Sequence, residues 1–142
     1  QGDNNLYFTM IYAVLNTKTG QLNYAFAGHP PIIWQQTSQQ ICRFIQQESF
    51  VAGMFDFASY QTEQIQLSVG DRIFLYSDGI TEAESTDKEQ YSEQRLALQI
   101  QQLSKLTISK QSNTIVEELN NWSGTTQFDD DISLLAFEWN GS

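Results

Sequence analysis

Residues 6–15 (LYFTMIYAVL) carry apolar side chains at both odd and even positions. A strand turns successive side chains to opposite faces, so a run that is apolar in both registers belongs in a strand covered on both sides rather than at a solvent-facing edge. Such a strand needs a packing layer above and below it. The remaining 127 or so residues must supply those layers, and the chain's 142 residues fit one domain of roughly 68–70% surface burial.

Local signals divide the rest of the chain into elements. Asn16-Thr17-Lys18-Thr19-Gly20 has turn chemistry, and residues 22–27 read as the returning strand of a hairpin. Gly28-His29-Pro30-Pro31 stops it, because proline cannot donate to a central ladder. Residues 32–34 and 41–45 form a second candidate hairpin, and residues 51–57 an apolar loop around Gly53. Residues 60–67 alternate as a half-exposed strand does. Val69-Gly70-Asp71 is a tight turn with Asp71 as a turn residue only, and residues 72–76 (RIFLY) are a short, strongly apolar strand.

The pattern then changes period. Leu96, Ile100 and Leu103 make an i, i+4, i+7 stripe that predicts a helix over residues 92–106. Ser112 is placed to cap a second helix with the stripe Ile115, Leu119 and Trp122, ended at Asn121-Trp122-Ser123-Gly124. Residues 132–139 are a last strand. Many antiparallel strands, then two helices, then a strand is an α+β order, with the helices on one sheet face. Glutamine is frequent throughout and carries no assigned function.

Charge and composition exclude several function classes. The formal net charge of −10 argues against nucleic-acid binding through a basic face and suits cations or a basic partner, though acidic surfaces also serve solubility. No apolar run reaches membrane-spanning length and no signal peptide is visible, which points to a cytoplasmic segment. The single cysteine, Cys42, sits among Ile41, Phe44 and Ile45 as an inert core thiol rather than a nucleophile. The opening residues 1–5 read as a tag remnant or flexible start before the 6–140 domain.

Two acidic stretches carry the candidate chemistry. Ser77-Asp78-Gly79-Ile80-Thr81-Glu82-Ala83-Glu84 follows the 72–76 strand, and Phe128-Asp129-Asp130-Asp131-Ile132-Ser133 precedes the last one. If those strands are antiparallel neighbours, their acidic ends share one sheet edge. Carboxylates so placed repel unless a cation intervenes, and hard divalent ions take all-oxygen shells. The same spacing also describes solvated Asp-rich turns. Glu82 and Glu84 read as first-turn helix acids or solvated charges, and His29 as a hydrogen-bonded loop residue. No Ser-His-Asp set and no Gly-rich phosphate loop is present.

In order and spacing, residues 8–34 with Ala27-Gly28-His29-Pro30-Pro31, residues 67–85 with Tyr76-Ser77-Asp78-Gly79, the YSEQRL start at Tyr91, and Asp130-Asp131-Ile132-Ser133 resemble the SpoIIE/RsbU branch of the PPM (PP2C-like) Ser/Thr protein phosphatases. The resemblance implies an α-β-β-α sandwich, of which this chain is the C-terminal part. It implies two divalent ions, Mn²⁺ or Mg²⁺, and direct attack of an activated water on the phosphoester. Asp78 matches the family's metal aspartate, and Asp130 that of its closing Asp-(Asp/Asn)-x-(Ser/Thr) motif. Asp129 is the register alternative, Asp131 falls beside the ligand, Gly79 allows close backbone approach, and His29 lies in a neighbouring loop. The family's bridging Asp-Gly motif has no counterpart here; Gly70-Asp71 is followed by Arg72-Ile73-Phe74. This chain is therefore expected to hold at most one ion weakly, to turn over negligibly alone, and to dimerise through exposed sheet surface. The implied partner is a phosphoprotein, a STAS-domain anti-anti-sigma protein. The alternative is a phosphatase-like adaptor that has lost catalysis.

Overall fold

The computed structural model describes residues 10–27, 31–45, 63–124 and 132–141. Seven strands and three helices follow one another as β1 Met10–Leu15, β2 Gln21–Ala27, β3 Ile32–Gln36, β4 Ile41–Ile45, β5 Glu63–Gln66, β6 Arg72–Tyr76, α1 Asp78–Thr81, α2 Ser92–Gln102, α3 Ile108–Ser123 and β7 Leu134–Glu138. Strands β1-β2-β5 form one sheet and β4-β3-β6-β7 another, antiparallel throughout.

The inner strands β3 and β6 of the four-stranded sheet are covered on both faces, and this is why β6 reads apolar without alternation. Ile32 and Ile73 turn toward the first sheet, joining Leu22, Tyr24, Ile45 and Leu67 in an inter-sheet core. Their neighbours Ile33 and Phe74 turn the other way, onto Leu96, Ile100, Ile115 and Leu119 of the helices. Each such side chain taken from water contributes roughly 1.5–3 kcal/mol. The result is sheet on sheet on helices, an α+β arrangement with α2 and α3 on one face, as the order of elements led one to expect.

Three expectations need correction. First, β1 is not covered on both sides. It ends its sheet, paired with β2, and only Ile11 and Leu15 reach the inter-sheet core. Tyr12 and Val14, on the opposite face, are 60% and 47% exposed. Nothing among the described residues packs over them. Second, α3 begins well before Ser112. Thr107 is its N-cap, its hydroxyl accepting from the Lys110 amide at 3.3 Å, so Ser112 lies inside the helix. Gly124 closes α3 in the left-handed conformation at φ 72°. Third, α2 stops at Gln102, and the helix after β6, α1, is a single turn that ends at Thr81, before Glu82 and Glu84. Residues 6–9, 28–30, 51–57 and 60–62 of the predicted elements lie outside the described residues.

Candidate functional site

The adjacency that the acidic stretches required is present. β6 and β7 are antiparallel neighbours in the register Arg72↔Glu138 through Tyr76↔Leu134. The exit of β6, which leads into Asp78, therefore lies beside the entrance of β7, which Asp129, Asp130 and Asp131 precede in the sequence. Those three aspartates and His29 lie outside the described residues. Of the sequence-predicted site, Asp78 and Gly79 are described.

Asp78 is the first residue of α1. Its backbone carbonyl accepts from the Glu82 amide at 2.8 Å and the Thr81 hydroxyl at 3.3 Å. Gly79, Ile80 and Thr81 are buried, and Ile80 belongs to the helix-side core. Burying Ile80 fixes the single turn of α1, while Asp78 stays exposed. No cationic side chain pairs with Asp78 among the described residues. An unpaired, exposed carboxylate at a sheet edge suits one oxygen ligand of a hard cation. Among the described residues no group of three or more His, Cys, Asp or Glu is close enough to hold a metal ion.

Ser77 joins the two strand ends. Its amide donates to the Ser133 carbonyl at 3.0 Å, and its Oγ accepts from the Ser133 amide at 2.9 Å. It occupies the N-cap of α1 yet makes no side-chain cap bond there. Tyr76, one residue earlier, is 2% exposed, and its hydroxyl has no hydrogen-bond partner among the described residues. Burial raises its ionisation well above the ordinary phenol value, and the charges of Glu93 and then Asp78 raise it further. Glu82 and Glu84 are exposed; Glu82 is the C-cap of α1 rather than a first-turn acid.

Asp71 is more than a turn residue, and this corrects the sequence reading. It is 1% exposed, and its carboxylate accepts from Trp34 Nε1 at 2.9 Å, the Ser68 amide at 2.9 Å and the Thr37 amide at 3.2 Å. With these donors on its oxygens it is a structural hub, at the other end of β6 from Asp78. Next to it runs a second polar network that went unforeseen. Arg72 donates to Gln111 and to Glu138 Oε1 at 2.7 Å, and Gln111 Nε2 donates to Gln35 Oε1 at 2.7 Å and the Ile100 carbonyl at 2.8 Å. Two of the glutamines given no role are thus 1% and 0% exposed and join α3 to the sheet. Cys42 is half-buried rather than fully buried, and burial pushes its thiol up to about 11, in keeping with an inert core cysteine. A cleft of about 380 Å³ between α2 and α3, lined by Tyr91, Arg95, Leu98, Glu118 and Trp122 among others, contains none of the predicted site residues.

The antiparallel sheets and helices match the fold of solved PP2C phosphatase domains. The family model described as Stage II sporulation protein E (SpoIIE) matches residues 1–140, and the chain belongs to that family. It is 27% identical over 141 residues to Protein IcfG of Synechocystis sp., covering 95% of this chain and 21% of that protein. It is 32% identical over 80 residues to Phosphoserine phosphatase RsbU of Bacillus subtilis, covering 56% of this chain and 24% of that protein. The solved phosphatase domain of the cell fate determinant SpoIIE from Bacillus subtilis, presoaked with Mn, superposes with a TM-score of 0.72 at 15% identity, over 94% of this chain and 57% of that one; at this identity the likeness concerns the fold. The chain spans about a fifth to a quarter of the length of these curated relatives. No helix among the described residues is long and apolar enough to cross a membrane.

Proposed function

We propose that the protein carrying this chain hydrolyses phosphoserine or phosphothreonine on a regulatory partner protein, with Asp78 and Asp130 as ligands of a divalent cation, Mn²⁺ or Mg²⁺. The observation that supports this most is the β6–β7 pairing, Tyr76↔Leu134, which sets the exit leading to Asp78 beside the entrance that the acidic run precedes. Asp129 is the register alternative to Asp130, and Asp131 and Gly79 stand beside the ligands. The phosphoserine phosphatase RsbU and the Mn-presoaked SpoIIE domain favour the same chemistry by kinship. The partner of choice is a STAS-domain anti-anti-sigma protein in bacterial cytoplasm, and the chain's net charge of −10 suits a substrate with basic residues around the phosphoryl group.

When bound, a divalent cation supplies positive charge for the phosphoryl oxygens and a water of lowered pKa. The chain's own part is to hold and orient. Asp78 offers an exposed carboxylate from a helix turn pinned by Ile80, so its direction is set by the core and not by a mobile loop.

The test is phosphate release from a phosphoserine-bearing protein by the full-length protein. Asp78→Ala should lower turnover by about 100-fold or more, in line with the 10–100-fold cost of disturbing even indirect partners of a metal site. Chelation should abolish turnover, and Mn²⁺ or Mg²⁺ should restore it. Equal rates for wild type and Asp78→Ala would remove Asp78 from the mechanism.

A further inference from the structure

We propose that Ser77 is a positioning residue whose hydroxyl clamps the entrance of β7 against the exit of β6, one residue before Asp78. The inference rests on the metal-ligand role given to Asp78 above.

The argument is one of hydrogen-bond supply. The β6–β7 ladder runs to Tyr76↔Leu134, and the next opposed residues are Ser77 and Ser133. In an antiparallel ladder two residues opposed in a hydrogen-bonded pair exchange both N–H···O=C bonds. Here one of them forms normally, from the Ser77 amide to the Ser133 carbonyl at 3.0 Å. The usual return bond is not made: the Ser77 carbonyl accepts instead from the Ile80 amide at 3.1 Å, where the chain turns into α1. The Ser77 hydroxyl takes the place of that carbonyl and accepts from the Ser133 amide at 2.9 Å.

Two needs meet at this residue. The chain must leave the sheet at once to present Asp78 from α1, and the ladder must continue far enough to hold the β7 entrance. A backbone carbonyl serves one of these and a side-chain acceptor on the same residue serves the other. This also explains why a serine in N-cap position, with φ −90° and ψ 160°, makes no cap bond to α1. Beyond Ser133 only Ile132 separates the clamp from Asp131 in the sequence. Alanine at 77 removes the acceptor and leaves the Ser133 amide without this partner at the entrance of β7. Threonine keeps it.

The experiment uses full-length protein, with Mn²⁺ alone as the probe. Amide exchange at Ser133 and the Mn²⁺ dissociation constant from calorimetry are measured for wild type, Ser77→Ala, Ser77→Thr and Asp78→Ala. Ser77→Ala should lose Ser133 protection and weaken Mn²⁺ binding by about tenfold or more. Ser77→Thr should restore both. Ser77→Cys, which keeps the volume with a poor acceptor, serves if the alanine variant does not fold, and should follow alanine. Loss of Ser133 protection with wild-type Mn²⁺ affinity, in either variant, overturns the clamp's role in the site. Wild-type affinity in Asp78→Ala overturns the metal-ligand assignment itself; weakened binding in Asp78→Ala with none in Ser77→Ala sinks the clamp alone.

Discussion

Ser92 opens α2 at φ 79°, a left-handed conformation that a side chain with a Cβ adopts at a cost of about 1–2 kcal/mol. What offsets that cost is small. The Ser92 hydroxyl accepts from the Arg95 amide at 3.4 Å, near the outer limit of a useful bond. Replacing serine by glycine at a cap costs only a few tenths of a kcal/mol. Ser92→Gly should therefore stabilise the protein by about 1 kcal/mol, seen as a higher urea midpoint with an unchanged denaturant slope. A lower midpoint would mean that the long Arg95 bond outweighs the backbone strain. Residue identity in the sequence showed Ser92 as a helix start but not its backbone angle. Asp71 shows the same gap from the other side. Its neighbour Gly70, at φ 92°, marks a turn that any reader of Val69-Gly70-Asp71 would expect. The burial of its carboxylate depends on Trp34 and Thr37, whose approach is a matter of tertiary structure. The position of Asp78 just past β6 was legible because its cue is local: an acid and a glycine at the end of an apolar strand.

At the scale of elements, short-range chemistry was readable and partnership was not. The β1–β2 turn is an example. Asn16 Oδ1 accepts from the Lys18 amide at 3.0 Å and the Thr19 amide at 3.2 Å, the side-chain turn that Asn favours, and Gly20 supplies φ 79°. The partner of that turn comes from the far end of the chain. Trp139 lies against Gly20, its Nε1 donating to the Thr17 carbonyl at 2.8 Å, and a Cβ on Gly20 would stand 2.5 Å from the nearest ring carbon. Gly20→Ala combines left-handed strain, about 1–2 kcal/mol, with overpacking, about 1–3 kcal/mol. The expected loss is roughly 2–5 kcal/mol, read as a fall in thermal midpoint. Trimming the ring in a Gly20→Ala/Trp139→Leu double variant should recover part of it, because the clash then disappears while the strain stays. The same limit explains the helix errors. Residues 107–111 (TISKQ) lack an apolar stripe, so α3 seemed to start at Ser112. Its first turns are held instead by the Thr107 cap and by Gln111, a buried polar side chain that packs through hydrogen bonds to Gln35 and Ile100. The exposed face of β1, with Tyr12 and Val14, agrees with the exposed sheet surface expected of this chain, while the covering on both sides does not follow, because apolar residues on both faces state what a strand can bury and not what lies over it.

Taken as a whole, the molecule stores neutral acids in both of its cores, and this sets how it should respond to alkali. Tyr24, in the inter-sheet core, has its phenol pushed from 10.0 up to about 12, first by burial and then by the charge and hydrogen bond of Glu63. Tyr91, in the helix-side core, is pushed up to about 12 by burial and Glu118, against a lowering by Arg95. Tyr76 is raised beyond these, and Cys42 from 9.0 to about 11 by burial. A group whose folded-state value is raised binds its proton more tightly in the native state than in the unfolded one. Its contribution to stability is complete below the ordinary value and is lost as pH rises through the folded one. For Cys42 the loss runs from pH 9.0 to about 11, and for Tyr24 and Tyr91 from 10.0 to about 12. Because the four groups are shared between layers that meet at the same central sheet, both cores weaken in one interval. Far-ultraviolet dichroism should then fall in a single transition above pH 10, in step with the appearance of tyrosinate absorbance. Tyr76→Phe discriminates the cause. It removes a buried hydroxyl that has no partner among the described residues, so it should leave stability at neutral pH unchanged or higher. It should also move the alkaline transition upward, since one fewer buried proton must be released. A transition that stays in place in Tyr76→Phe would assign the alkaline loss to general charge repulsion in a chain already at −10, and not to the buried phenols.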